Sequence, residues 1–91
     1  MNQDTKIQEI LDILQEECAE VVQSISKCRR FGLNNIHKDG LTQREQLVQE
    51  LGDVTLMIDL LKAYRVFTER ELHDAQVAKS MKLLQWSKIY D

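Results

Sequence analysis

The segment Leu47 to Leu61, LVQELGDVTLMIDLL, restricts the possible folds of this chain more than any other. Leu47, Leu51, Val54, Ile58 and Leu61 recur at helical spacing, so it reads as a helix with one apolar stripe. Two acids, Glu50 and Asp53, interrupt it on one side of the stripe. An ionised carboxylate beside a surface that must be buried is costly unless something pairs with it. Any fold that buries this stripe must also provide for both acids.

A second segment repeats the conflict. A helix is expected from about Thr5 to Phe31, with Ile7, Ile10, Leu11, Leu14, Cys18, Val21, Val22, Ile25 and Cys28 as its stripe. Within it, Glu16-Glu17-Cys18-Ala19-Glu20 puts Glu17 on the border of the stripe. Glu20, Ser24 and Lys27 follow on the adjoining side. Residues three apart on a helix are neighbours, so Glu17 with Glu20, and Glu50 with Asp53, each present oxygens in one direction. If the two helices pack with those sides facing, four carboxylates converge. Two like charges about 4 Å apart repel by roughly 4 kcal/mol at an effective dielectric near 20. Protonation or a hard cation relieves that repulsion. Mg²⁺ takes oxygen ligands and is commonly shared with substrate phosphates, which points to metal-assisted chemistry on a phosphorylated substrate. The competing reading of each pair is an ordinary solvated helix face.

Between these helices, Arg29 to Leu41 carries turn chemistry at Gly32, Asn34-Asn35 and Asp39-Gly40. A short helical turn around Leu33 and Ile36 is expected there. Thr42-Gln43-Arg44-Glu45 reads as a capping box opening a helix from Gln43 to about Tyr64. Gly52 inside it costs roughly 1 kcal/mol relative to alanine, and close approach of a backbone or ligand is the expected compensation. Arg65 to Phe67 reads as a turn. Thr68-Glu69-Arg70-Glu71 is a second capping box, opening a third helix that runs to about Lys88. Its Leu72, Val77, Met81, Leu84 and Trp86 spread over more than one face, so it calls for two partners, one of them another subunit. No segment alternates at period two. The expected fold is all-α, a small bundle of three long helices in a single domain spanning residues 1–91.

Net charge is −3, which argues against a nucleic-acid polymer as ligand. No apolar run approaches the roughly 18 residues of a membrane span. Asp4 and Glu9 stand where a signal peptide would be basic and then apolar, so a cytoplasmic location is expected. Cys18 and Cys28, ten residues apart on one helix, are separated by roughly 15 Å of rise and read as buried free thiols.

EECAEVVQSISKCRRFG followed by LVQELGDVTLMIDLL resembles the MazG-like all-α nucleoside triphosphate pyrophosphohydrolases. That family carries E-x-x-E on one helix and E-x-x-D on the next, here Glu17-Cys18-Ala19-Glu20 and Glu50-Leu51-Gly52-Asp53. The resemblance implies that Glu17, Glu20, Glu50 and Asp53 hold Mg²⁺, with Mn²⁺ as a possible substitute. It implies attack by water between the α- and β-phosphates, giving a nucleoside monophosphate and pyrophosphate. Glu20 is the candidate to orient that water, with Glu16 or Glu17 as alternatives. It further implies a homodimer or homotetramer with the substrate pocket near a subunit interface.

Lys27 and Arg30 are candidates for binding the triphosphate, Lys27 because it lies on the carboxylate side of its helix. Phe31 and Trp86 read as core rather than as stacking platforms, and His37 and His73 as surface residues without partners. Two other readings stay open: a phosphoribosyl-ATP pyrophosphohydrolase, which shares the acidic helical motif, and a non-catalytic helical oligomer acting as nucleotide sensor or adaptor.

Overall fold

A computed structural model describes residues 2–91. Among them the chain forms three α-helices: α1 (Gln3–Phe31), α2 (Gln43–Ala63) and α3 (Glu69–Trp86). Each starts at a side chain that occupies backbone N–H groups left free in the first turn. Asn2 Oδ1 accepts from the Thr5 N–H at 2.8 Å. Thr42 and Thr68 both complete the expected capping boxes, with Glu45 and Glu71 reaching back to the cap N–H. α1 ends at Gly32, whose φ of 91° is open to glycine and costly for other residues. α2 ends in a Schellman turn: Arg65 N–H donates to Lys62 O and Val66 N–H to Leu61 O, both at 3.0 Å. Arg65 itself adopts φ 64° there.

The α1–α2 connection corrects one expectation. No helical turn forms around Leu33 and Ile36; Ile36 instead makes an isolated antiparallel bridge with Thr42. Asp39 and Gly40 cause the reversal. Asp39 Oδ1 accepts from the Leu41 N–H, and Gly40 takes φ 90°. The segment then feeds α2: Leu33 O and Asn35 O accept from the N–H groups of Arg44 and Gln43.

α1 and α2 pack side by side and antiparallel, whereas α3 leaves them and packs along neither. The molecule is accordingly flat, 43 × 38 × 14 Å. Ile10 and Leu61 are the buried apolar residues, joined by buried Ser24 and Gln43. The face of α1 turned to α2 runs through Ile10, Glu17, Val21, Ser24 and Cys28, so Glu17 is central to it rather than on its border. Leu11, Cys18, Val22 and Ile25, grouped with that stripe from sequence, are exposed. Two apolar faces, one turned to α2 and one exposed, merge into a single broad stripe in the sequence.

Helical register gives the α1–α2 layer two unlike sides. Leu11, Cys18, Val22 and Ile25 share one side with Leu51 and Ile58 of α2. Lys6, Glu9, Ile13 and Glu20 share the other with Asp53 and Leu60. Gly52 corrects a further expectation: nothing stands within 4 Å of the position its Cβ would take. It lies on the side of α2 turned away from α1. Cys18 is exposed rather than buried, and Phe31 and Trp86 are 50% and 63% exposed rather than core. The apolar residues of α3, Val77, Met81, Leu84 and Trp86, are exposed as well. No helix among the described residues is long and apolar enough to cross a membrane.

Candidate functional site

Midway along the α1–α2 contact, Glu17 from α1 meets Glu50 and Asp53 from α2. One carboxylate oxygen from each lies within 4.8 Å of the other two. Glu17 and Glu50 are half-buried and Asp53 is exposed, so the group opens toward solvent at Asp53. Antiparallel packing of two long helices produces this meeting, because Glu17 and Glu50 each sit centrally on the face their helix turns to the other.

Electrostatics follow from that placement. Partial burial raises the pKa of Glu17, and the neighbouring Asp53, Glu50 and Glu20 push in the same direction. Glu17 and Asp53 are also placed to share a proton when one is present. Gln46, one turn before Glu50, donates through Nε2 to Glu50 Oε1 at 3.1 Å and fixes its orientation. None of the ion pairs among the described residues takes in Glu17, Glu50 or Asp53; those pairs are His37–Asp39, Lys62–Glu69 and Arg70–Asp74. The group therefore gathers negative charge and only oxygen donors, with no protein cation beside it. That chemistry fits a hard divalent ion such as Mg²⁺ or Mn²⁺.

The other expected residues lie elsewhere. Glu20 is exposed one turn beyond Glu17 on the same side of α1, outside the three-carboxylate group yet close enough for its charge to act on Glu17. Lys27 lies roughly 15 Å further along α1 than Glu17. It lines a groove of about 290 Å³ with Phe31, Asn35, His37 and Gln43. Arg30 is exposed, its guanidinium 5.0 Å from the centre of the Phe31 ring. His37 is not a free surface residue: its Nδ1 is buried, 3.1 Å from Asp39 Oδ1, without a well-aligned hydrogen bond.

On the side of the layer that carries Glu20 and Asp53, a second hollow of about 350 Å³ lies one turn from the carboxylates. Ile10, Ile13, Met57, Leu60 and Tyr64 line it, with Lys6 and Glu9. Sequence reasoning missed both this hollow and Gln46. The Gln46–Glu50 spacing of four was the available signal for the second.

Compared with known protein families, residues 5–81 match the MazG nucleotide pyrophosphohydrolase domain. The chain belongs to that family. The MazG match spans all three helices except the outer ends of α1 and α3, and it takes in both acidic pairs. The all-helical structure agrees with the MazG fold expected from the resemblance. Neither curated proteins nor solved structures give a match to this chain.

Proposed function

We propose that this MazG-family chain hydrolyses nucleoside or deoxynucleoside triphosphates to the monophosphate and pyrophosphate in a divalent-metal-dependent reaction. The observation that carries the reading is the convergence of Glu17, Glu50 and Asp53 across two helices, within residues matched to the family. These three carboxylates would hold Mg²⁺ or Mn²⁺, with Glu20 as a fourth ligand where its side chain turns inward. When bound, such an ion supplies positive charge against the phosphate oxygens. The side chains do the rest. Gln46 holds Glu50 in place. Glu20, exposed on α1 one turn beyond Glu17, is the proposed group to orient a water molecule and accept its proton as the water attacks the α-phosphorus. Pyrophosphate then leaves toward the α2 N-terminal end, where Lys27 and Arg30 are the proposed cationic contacts.

The unit of function is proposed to be a homodimer or homotetramer. The chain exposes 7246 Å². A folded monomer of 10.7 kDa is expected to expose roughly 5,500 Å², so about 1,700 Å² per chain is in excess. Burying it between two copies would remove about 3,400 Å², within the range of obligate homodimers. Leu11, Val22, Ile25 and Leu51 on one side of the layer, together with α3, supply apolar surface for that contact.

Pyrophosphate release from a panel of NTPs, dNTPs and phosphoribosyl-ATP, with and without Mg²⁺, tests this reading. Turnover confined to phosphoribosyl-ATP would move the assignment to the related hydrolase. Binding without turnover would make the chain a nucleotide sensor or adaptor.

A further inference from the structure

The hollow one turn from the carboxylates has no part in the chemistry above. Glu17 to Ile13 and Asp53 to Met57 are each four residues, so about 6 Å along either helix leads from the acids into it. Its volume of about 350 Å³ falls in the range of small-molecule sites. Ile10, 7% exposed, forms part of its apolar lining and the Tyr64 ring provides an aromatic wall. Tyr64 is tied at both ends: Gln3 Nε2 donates to its carbonyl at 3.0 Å, and Lys6 Nζ stands 6.0 Å from its ring centre. Glu9 adds a carboxylate.

We propose that this hollow receives the base of the nucleotide, and that Glu9 selects bases bearing an exocyclic amino group. The inference rests on the pyrophosphohydrolase reading and deepens it. A planar heteroaromatic ring suits a hollow with aliphatic walls and one aromatic face. With the base there and the α-phosphate at the carboxylates, the outer phosphates extend toward Lys27, in the opposite direction along α1. The Glu9 carboxylate accepts hydrogen bonds and donates none. Cytosine, adenine and guanine offer it an amino N–H. Thymine and uracil offer only a ring N–H flanked by carbonyl oxygens, which a carboxylate repels. A second copy of the chain is the less suitable occupant. The hollow shares its side of the layer with Lys6, Glu9, Glu20 and Asp53, whereas the leftover apolar residues Leu11, Val22, Ile25 and Leu51 gather on the other.

The test combines kinetics with binding. In pyrophosphate release with Mg²⁺, the wild type is expected to favour dCTP, dATP and dGTP over dTTP and dUTP by about tenfold in kcat/KM, the worth of one charge-assisted hydrogen bond. Glu9→Gln, a surface change that leaves the fold intact, is expected to erase most of that preference. Ile13→Trp, which fills the hollow, is expected to raise KM about tenfold or more for every base while kcat changes little. An unchanged KM in Ile13→Trp, or a changed oligomeric state with unchanged KM, would overturn the proposal. If the wild type releases pyrophosphate from no nucleotide, the catalytic reading fails by itself. The hollow is then judged by methyl NMR shifts on adding dCMP or dGMP without metal. Shifts centred on Ile10, Ile13 and Met57 support the site, and their absence overturns it.

Discussion

Glu17 on α1 and Asp53 on α2 hold carboxyl oxygens within 4.8 Å of each other, with Glu50 completing the group. Burial and the two acids of α2 raise the pKa of Glu17. The folded chain thus binds a proton at Glu17 more tightly than the unfolded chain does. That contribution to stability is fully present below the ordinary carboxylate value and is lost as pH rises through the raised one. In metal-free buffer at pH 7.5, Glu17→Gln is expected to melt at a higher temperature than the wild type. The difference is expected to shrink as pH falls toward 4. Thermal melts across that range check it.

The same substitution has the opposite effect on activity. Glu17→Gln, Glu50→Gln and Asp53→Asn each remove one anionic oxygen from the group. Each is expected to lower kcat by about 100-fold or more. Pyrophosphate release under saturating triphosphate measures the loss, and retained turnover in all three would mean that these carboxylates do not carry the reaction.

Helix caps carry stability away from the site. Thr42→Ala removes the acceptor for the Glu45 N–H and is expected to cost about 1 kcal/mol, or roughly 4–8 °C in Tm. The capping N–H of Thr42 also holds the Glu45 carboxyl below its ordinary value. Its contribution is present above the usual carboxylate range and is lost as pH falls through the lowered value. Thr42→Ala keeps that N–H but loses the Thr42 hydroxyl, which donates to Glu45 Oε1 at 2.9 Å and lowers the same pKa, so its stability should depend less on pH than the wild type's below pH 4.5.

Gly52→Ala tests a corrected expectation. With nothing within 4 Å of the added Cβ and an ordinary helical backbone, the substitution is expected to stabilise α2 by about 1 kcal/mol. A loss of stability would mean that another copy of the chain approaches α2 at this point.

Much of this arrangement was legible in the residues. The capping boxes at Thr42 and Thr68 place two helix starts where they occur, because a hydroxyl and a carboxylate at that spacing act locally. The spacing of Glu17 with Glu20 and of Glu50 with Asp53 raised a meeting of four carboxylates if the helices faced each other; three lie together, and Glu20 lies outside the group. What escaped depends on rotation and partners. Periodicity merged Ile10 with Leu11 and Val21 with Val22 into one stripe, although α2 covers Ile10 and leaves Leu11 and Val22 exposed. The Ile36–Thr42 bridge depends on how the Asp39-Gly40 turn closes, which no helical period reports. Cys18 reads as buried until the covering helix proves to lie on another face.

Val22 and Leu51, 63% and 43% exposed on the same side of the layer, bear on assembly. Under the proposed assembly, Val22→Asp is expected to shift the chain from dimer or tetramer to monomer at micromolar concentration and to lower its melting temperature, and a monomeric wild type would overturn that assembly. Light scattering coupled to size exclusion reads the change, and an unaltered mass would move the interface to α3.

Titration of Mg²⁺ into the wild type and Asp53→Asn, followed by isothermal calorimetry at pH 7.5 without nucleotide, asks whether Glu17, Glu50 and Asp53 form a cation site. The expected result is saturable binding by the wild type, weakened by about tenfold or more in Asp53→Asn. Equal heats from both proteins would contradict it.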